Sequence, residues 1–132
     1  MKILLISLLI LVSNDSIDLS PQSVYEYCVE QDIQHPEIVT AQAIQESGWF
    51  KCTHCSLNKN NIFGFWYKKQ YIEFNNWKES ILYYKRWQDR HYKGGDYYQF
   101  LIDRHYASDI NYTNHIKNIV NKHAKTWVTS SE

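Results

Sequence analysis

The sequence predicts a mainly α domain that carries one small β-hairpin lobe. Three observations lead there. Segments opened by Ser, Pro or Asn follow one another with apolar residues at helical spacing. One aromatic-rich stretch around Lys68-Lys69-Gln70 departs from that spacing. With 132 residues and 44% apolar content, the chain can build one core but not two ordinary ones. No repeat, linker or low-complexity segment interrupts it.

Residues 1–16 read as a signal peptide. Lys2 supplies the positive charge, and Ile3 to Val12 is an apolar run broken only by Ser7. That run is too short to span a bilayer comfortably. Ser13-Asn14-Asp15-Ser16 matches a small-x-small cleavage site poorly, so the cut is not fixed by the sequence. Export to the periplasm or the extracellular space is expected, with no membrane attachment after cleavage. Residues 17–132 then form the domain.

Ser20-Pro21 is a helix start, Ser as N-cap and Pro at the first helical position. Val24, Tyr25, Cys28 and Val29 continue it to about Asp32. Pro36 opens a second helix that runs to about Ser47 and stops at Gly48. Lys51 to Asn61 is polar and turn-rich. Phe63 to Tyr67 and Tyr71 to Phe74 then flank Lys68-Lys69-Gln70 as a short hairpin. Asn76 and Glu79 form a capping box for a helix to about Asp89, with Trp77, Ile81 and Tyr84 on one stripe and Trp87 close to it. Gly94-Gly95 is a turn, and Asp96 with Gln99 repeats the cap before Tyr97, Phe100 and Leu101. The last helix, roughly Thr113 to Trp127, buries Ile116, Ile119 and Val120.

Charge and composition exclude some functions. Fourteen basic residues balance fourteen acidic ones, and no block of five like charges appears. A nucleic-acid partner is therefore not expected. Eleven Tyr and five Trp instead favour a surface that stacks on flat or amphipathic ligands, sugars among them. In an oxidising compartment one disulfide is expected among Cys28, Cys52 and Cys55, either Cys52–Cys55 or Cys28 to one of them. Cys52-Thr53-His54-Cys55 resembles half a zinc site, but no second ligand pair lies at finger-like spacing. No metal and no cofactor are expected, and the domain is expected to act as a monomer.

The most informative residue is Glu46, in Ala41-Gln42-Ala43-Ile44-Gln45-Glu46-Ser47-Gly48. It shares a helix face with Val39, Gln42 and Ala43, while Ala41 and Ile44 make the opposite face apolar. Such a helix is central. Desolvation and the negative end of the helix dipole both favour the protonated carboxyl there, as a general acid requires.

Four blocks in order resemble the bacterial glucosaminidase family, of the glycoside hydrolase family 73 type that includes flagellar peptidoglycan hydrolases and autolysins. They are Ala41-Gln42-(x3)-Glu46-Ser47-Gly48, Asn60-Asn61-Ile62-Phe63-Gly64, Trp77-(x2)-Ser80-Ile81 and Tyr106-Ala107-Ser108-Asp109. Together they cover roughly Ser20 to Val120. The resemblance implies a lysozyme-like fold that cuts β-1,4 bonds next to N-acetylglucosamine in peptidoglycan glycan strands. It places the general acid on Glu46 and Tyr106 beside the cleaved sugar. Ser108 stands where the family has Thr and keeps the hydroxyl; Ile110 stands where Pro often follows.

Around that acid, Asn61 offers an amide to sugar hydroxyl or acetamido groups, and Gly64 lets backbone approach a ligand closely. Ile62 and Phe63 equally fit a structural turn plugged into the core. Phe65, Trp66 and Tyr71 are candidate stacking platforms, and Asp109 reads as a helix cap or turn residue beside the substrate rather than a catalytic base. Glycosidases usually pair two carboxylates, and Glu73 on the hairpin is the candidate to face Glu46. Alternatively the substrate's own acetamido group is the nucleophile, with Tyr106 assisting. A lytic transglycosylase and a non-catalytic glycan-binding module are the competing readings.

Overall fold

The computed structural model describes residues 18–129, so the expected signal peptide lies outside the described residues. Its five helices are α1 (Pro21–Glu30), α2 (Pro36–Ser47), α3 (Trp77–His91), α4 (Tyr97–Asp103) and α5 (Tyr112–Thr129). A two-stranded hairpin, β1 (Trp66–Tyr67) and β2 (Gln70–Tyr71), lies between α2 and α3. The mainly α fold with a small hairpin lobe is what the sequence predicts.

Local chemistry sets the boundaries. The Ser20 hydroxyl accepts from Ser23 N–H at 3.1 Å while the Ser23 hydroxyl accepts from Ser20 N–H at 2.9 Å, a reciprocal cap on α1. That helix ends two residues earlier than expected, because Asp32 turns left-handed and Ile33 N–H returns to the Cys28 carbonyl. Asn76 caps α3 through Glu79 N–H at 3.1 Å, but the Glu79 carboxylate reaches back to Asn75 rather than Asn76. Asp96 caps α4 through Gln99 N–H.

The hairpin is shorter than the aromatic run implies. Only Trp66 with Tyr71 and Tyr67 with Gln70 pair, and the loop is Lys68-Lys69 alone. Both lysines have positive φ, 49° and 65°, the backbone a two-residue hairpin turn demands. Asn61 then braces the lobe. Its amide donates to the Phe65 and Ile72 carbonyls, both at 2.9 Å, and accepts from Phe65 N–H at 3.0 Å.

Helix α2 is central, packed against both α1 and α5, and every residue from Ile38 to Ile44 is buried. The core is not purely apolar. Tyr84 donates to Gln42 Oε1 at 2.5 Å and lies 2.6 Å from the Tyr97 hydroxyl. Gln88 donates to Tyr97 at 3.0 Å and to the Gln34 carbonyl at 2.9 Å, and Gln42 donates to the Tyr112 hydroxyl at 3.3 Å. This chain joins α2, α3, α4 and α5 through the interior, where each member satisfies the next.

The expected disulfide is not formed: all three cysteines are free thiols. Cys28 is enclosed in the core against α2, and burial pushes its thiol up to about 12. Cys52 and Cys55 lie half-buried in the loop after α2, with Cys55 hydrogen-bonded to Cys52 but unbridged.

Candidate active site

Glu46 stands in the last turn of α2, where the chain reverses abruptly. Gly48, Trp49 and Phe50 are all left-handed, with φ of 56°, 60° and 61°. For the two non-glycine residues this costs on the order of 1–2 kcal/mol each. Ser47 holds the turn in place. Its buried hydroxyl donates to the Ala43 carbonyl at 2.6 Å and accepts from Phe50 N–H at 3.0 Å, while its carbonyl accepts from Cys52 N–H. Trp49 also packs edge-on to His123 of α5 at 4.7 Å. Backbone strain of this kind collects beside functional groups.

The Glu46 carboxyl opens into a groove of about 630 Å³, within the usual range for small-molecule sites. Burial raises its pKa above the ordinary carboxyl value. Gly64, at φ +71°, comes so close that a Cβ there would lie 3.2 Å from Glu46 Oε2. The glycine therefore makes room for the acid itself, a sharper role than the expected approach to a ligand.

Two tyrosines face the acid from the other side. Tyr106 and Tyr112 both line the groove, and their rings stack at 5.7 Å with an interplanar angle of 24°. The Tyr106 hydroxyl is buried and has no hydrogen-bond partner. Burial, then the neighbouring Tyr112 and Glu46, hold its pKa well above the ordinary phenol value. It remains a neutral O–H that a bound ligand can satisfy. Tyr112 is also pushed well up, by burial and then by Glu46, with the Gln42 hydrogen bond opposing. Because Gln42 donates to it, Tyr112 keeps its own proton free.

Of the sequence-predicted residues, the groove brings together Glu46, Phe63, Gly64, Phe65, Trp66, Tyr106 and Asp109, while Tyr71 lines the separate depression beside the hairpin. Phe63 is mostly core, 3% exposed and 4.8 Å from the Tyr84 ring. Trp66, 61% exposed, offers a free indole, with Tyr71 edge-on to it at 4.8 Å. Asp109 is a turn residue at the groove's edge: it accepts from Asn111 N–H at 2.8 Å and lies 3.6 Å from His115 Nδ1.

Two expectations need correction. Asn61 is fully buried, and the three hydrogen bonds that brace the hairpin occupy its amide, leaving a scaffold role in place of sugar binding. Glu73 does not face Glu46. It is exposed two residues beyond β2 and lines a separate depression with Lys59 and Tyr71.

Sequence reasoning missed Gln45, Tyr83, Trp87, Arg104 and Tyr112 as groove residues. Tyr112 was findable, since it stands four residues before Ile116 and so continues the buried stripe of α5. Arg104 carries no such signal.

The family model for glucosaminidase, described as mannosyl-glycoprotein endo-beta-N-acetylglucosaminidase, matches residues 22–125. No curated protein and no solved structure gives a match. The matched span runs from α1 through most of α5 and so contains the whole groove. With most of its length matched, the chain belongs to the glucosaminidase family of glycoside hydrolases.

Proposed function

We propose that the chain is an exported peptidoglycan hydrolase that cuts the β-1,4 bond after N-acetylglucosamine, with Glu46 as the general acid. The observation that carries this reading is the Glu46 carboxyl itself. It is desolvated at the end of a buried helix, open to a sugar-sized groove, and given room by a glycine. A carboxyl kept protonated in this way can deliver its proton to the departing glycosidic oxygen. The apolar N-terminal run, Ile3 to Val12, supports export.

The second group is best supplied by the substrate. Besides Glu46, the only carboxylate lining the groove among the described residues is Asp109, which is engaged with Asn111 and His115. The acetamido carbonyl of the −1 sugar then attacks C1 as the glycosidic bond breaks, a known exception to the two-carboxylate rule. Tyr106, with its unpartnered hydroxyl, hydrogen-bonds that acetamido group. Water subsequently opens the ring intermediate, with the Glu46 carboxylate as base.

The test is digestion of purified sacculi followed by mass spectrometry of the released fragments. The parent protein should release fragments with reducing N-acetylglucosamine ends, and Glu46→Gln should release none while keeping the parent's circular dichroism. Anhydro-sugar ends would identify a lytic transglycosylase, which needs the same single acid. Binding to sacculi with no fragments from the parent protein would identify a glycan-binding module.

A further inference from the structure

One end of the groove carries unpaired positive charge. Arg104, at the C-terminal end of α4, lines the groove and is exposed. It has no ion pair among the described residues. Its neighbour in sequence, Asp103, hydrogen-bonds to Gln99 at 2.8 Å, and Asp89 of α3 pairs with Lys85 at 2.8 Å. Beside Arg104 lies His91, in ring contact with the groove residue Trp87 at 5.9 Å. Partial desolvation, then the positive charges of Arg104, Arg90 and Lys93, hold the His91 pKa below its ordinary value. Arg104 is the only lysine or arginine lining the groove among the described residues, in a chain whose net charge is zero.

Burial favours the neutral form of Glu46, and Asp109, the other carboxylate lining the groove, accepts from Asn111 N–H at 2.8 Å and makes no ion pair with Arg104. A wholly neutral glycan gives Arg104 nothing charged to bind. A glycan whose sugars bear carboxylates does, and a guanidinium suits a carboxylate through two parallel hydrogen bonds.

We propose that Arg104 is a specificity-determining residue that binds a carboxylate carried on the lactyl substituent of a muramic sugar, selecting anionic glycan strands over neutral ones. The proposal rests on the peptidoglycan reading above and deepens it. The carboxylate is either the free lactyl group or one on the attached stem peptide; the chemistry at Arg104 is the same.

The test is calorimetric binding in the Glu46→Gln background, so that no glycan is consumed. Three soluble ligands are used: uncrosslinked strands with stem peptides, the same strands stripped of peptide, and chitohexaose. The protein with Arg104 should prefer a carboxylate-bearing strand over chitohexaose. Arg104→Gln should weaken that binding about tenfold, the scale of one charge-assisted contact. Chitohexaose should change by less than about twofold, and the salt dependence should flatten. Arg104→Lys should restore part of the preference.

Loss confined to peptide-bearing strands identifies the stem carboxylates; loss confined to stripped strands identifies the lactyl carboxylate, which is an amide while the peptide is attached; loss on both shows that either carboxylate serves. Equal loss on all three ligands, or no loss on any, overturns the proposal. Absence of fragment release by the parent protein, alongside Arg104-dependent binding, would sink the hydrolase reading and leave this one standing.

Discussion

Gly64→Ala tests the contact that defines the site. An added Cβ would lie 3.2 Å from Glu46 Oε2 and 3.9 Å from both Glu46 Cδ and Ser56 Oγ. The two 3.9 Å distances are ordinary van der Waals contacts, but the 3.2 Å one forces a shift of a few tenths of an ångström, and that movement falls on the carboxyl. The φ of +71° adds backbone strain of roughly 1–2 kcal/mol for a residue with a Cβ. For a domain of this size that lowers Tm by about 4–10 °C. Misplacing an acid by a fraction of an ångström should cost about 10-fold or more in kcat, since a 1 Å error can cost 100-fold. Fragment release from sacculi, measured well below either Tm, reads the catalytic part alone. Gly94→Ala is the control. Its φ is +106°, and a Cβ there meets nothing within 4 Å, so it carries the strain without the crowding. That variant should lose stability and keep its kcat. Wild-type kcat in Gly64→Ala, or an equal loss in Gly94→Ala, would refute the reasoning.

Glu46→Gln should be more stable than the parent at neutral pH. The folded-state pKa of Glu46 is raised, so the native state binds more protons than the unfolded state between about 4.5 and the raised value. The parent therefore loses stability as pH rises through that window; denaturant titrations of both proteins from pH 4 to pH 8 should diverge there, and parallel curves would contradict the burial argument. Tyr84→Phe should destabilise by roughly 1–3 kcal/mol, because it strands Gln42 Oε1 in the core; urea unfolding reads this directly, and a loss under about 0.5 kcal/mol would mean a water takes the place of the hydroxyl. Iodoacetamide at pH 8 should label Cys52 and Cys55 in the folded protein and reach Cys28 only after unfolding, since Cys28 is enclosed and its thiol sits at about 12; peptide mass mapping gives the answer.

The helices were legible in the sequence because caps and prolines are local. Ser20-Pro21, Pro36, Asn76 and Asp96 each mark a start within a residue of where it occurs. Glu46 was legible for a related reason: an apolar helix ending in a carboxylate and a glycine is itself a local pattern. What escaped depended on tertiary packing. No propensity announces that Trp49 and Phe50 follow Gly48 into the left-handed region; the Ser47 hydrogen bonds and the His123 contact hold them there. Asn61 looked like a ligand because its amide is polar, yet the hairpin's own carbonyls take that amide. Glu73 fits a partner only on a longer hairpin; with pairing limited to Trp66–Tyr71 and Tyr67–Gln70, it falls beyond the strand.

The interior chain of tyrosines and glutamines restricts how this domain can be recombined. Tyr84, Tyr97, Gln42, Gln88 and Tyr112 sit on four different helices, and each is the partner another requires. Grafting α4 from a relative that lacks Tyr97 would remove one buried hydrogen bond each from Gln88 and Tyr84; importing α2 without Gln42 would do the same to Tyr84 and Tyr112. Sequence divergence at these positions should therefore come in sets. A hybrid built by exchanging one helix at a time passes through proteins less stable than either parent, whereas exchanging the helices together with their polar partners does not.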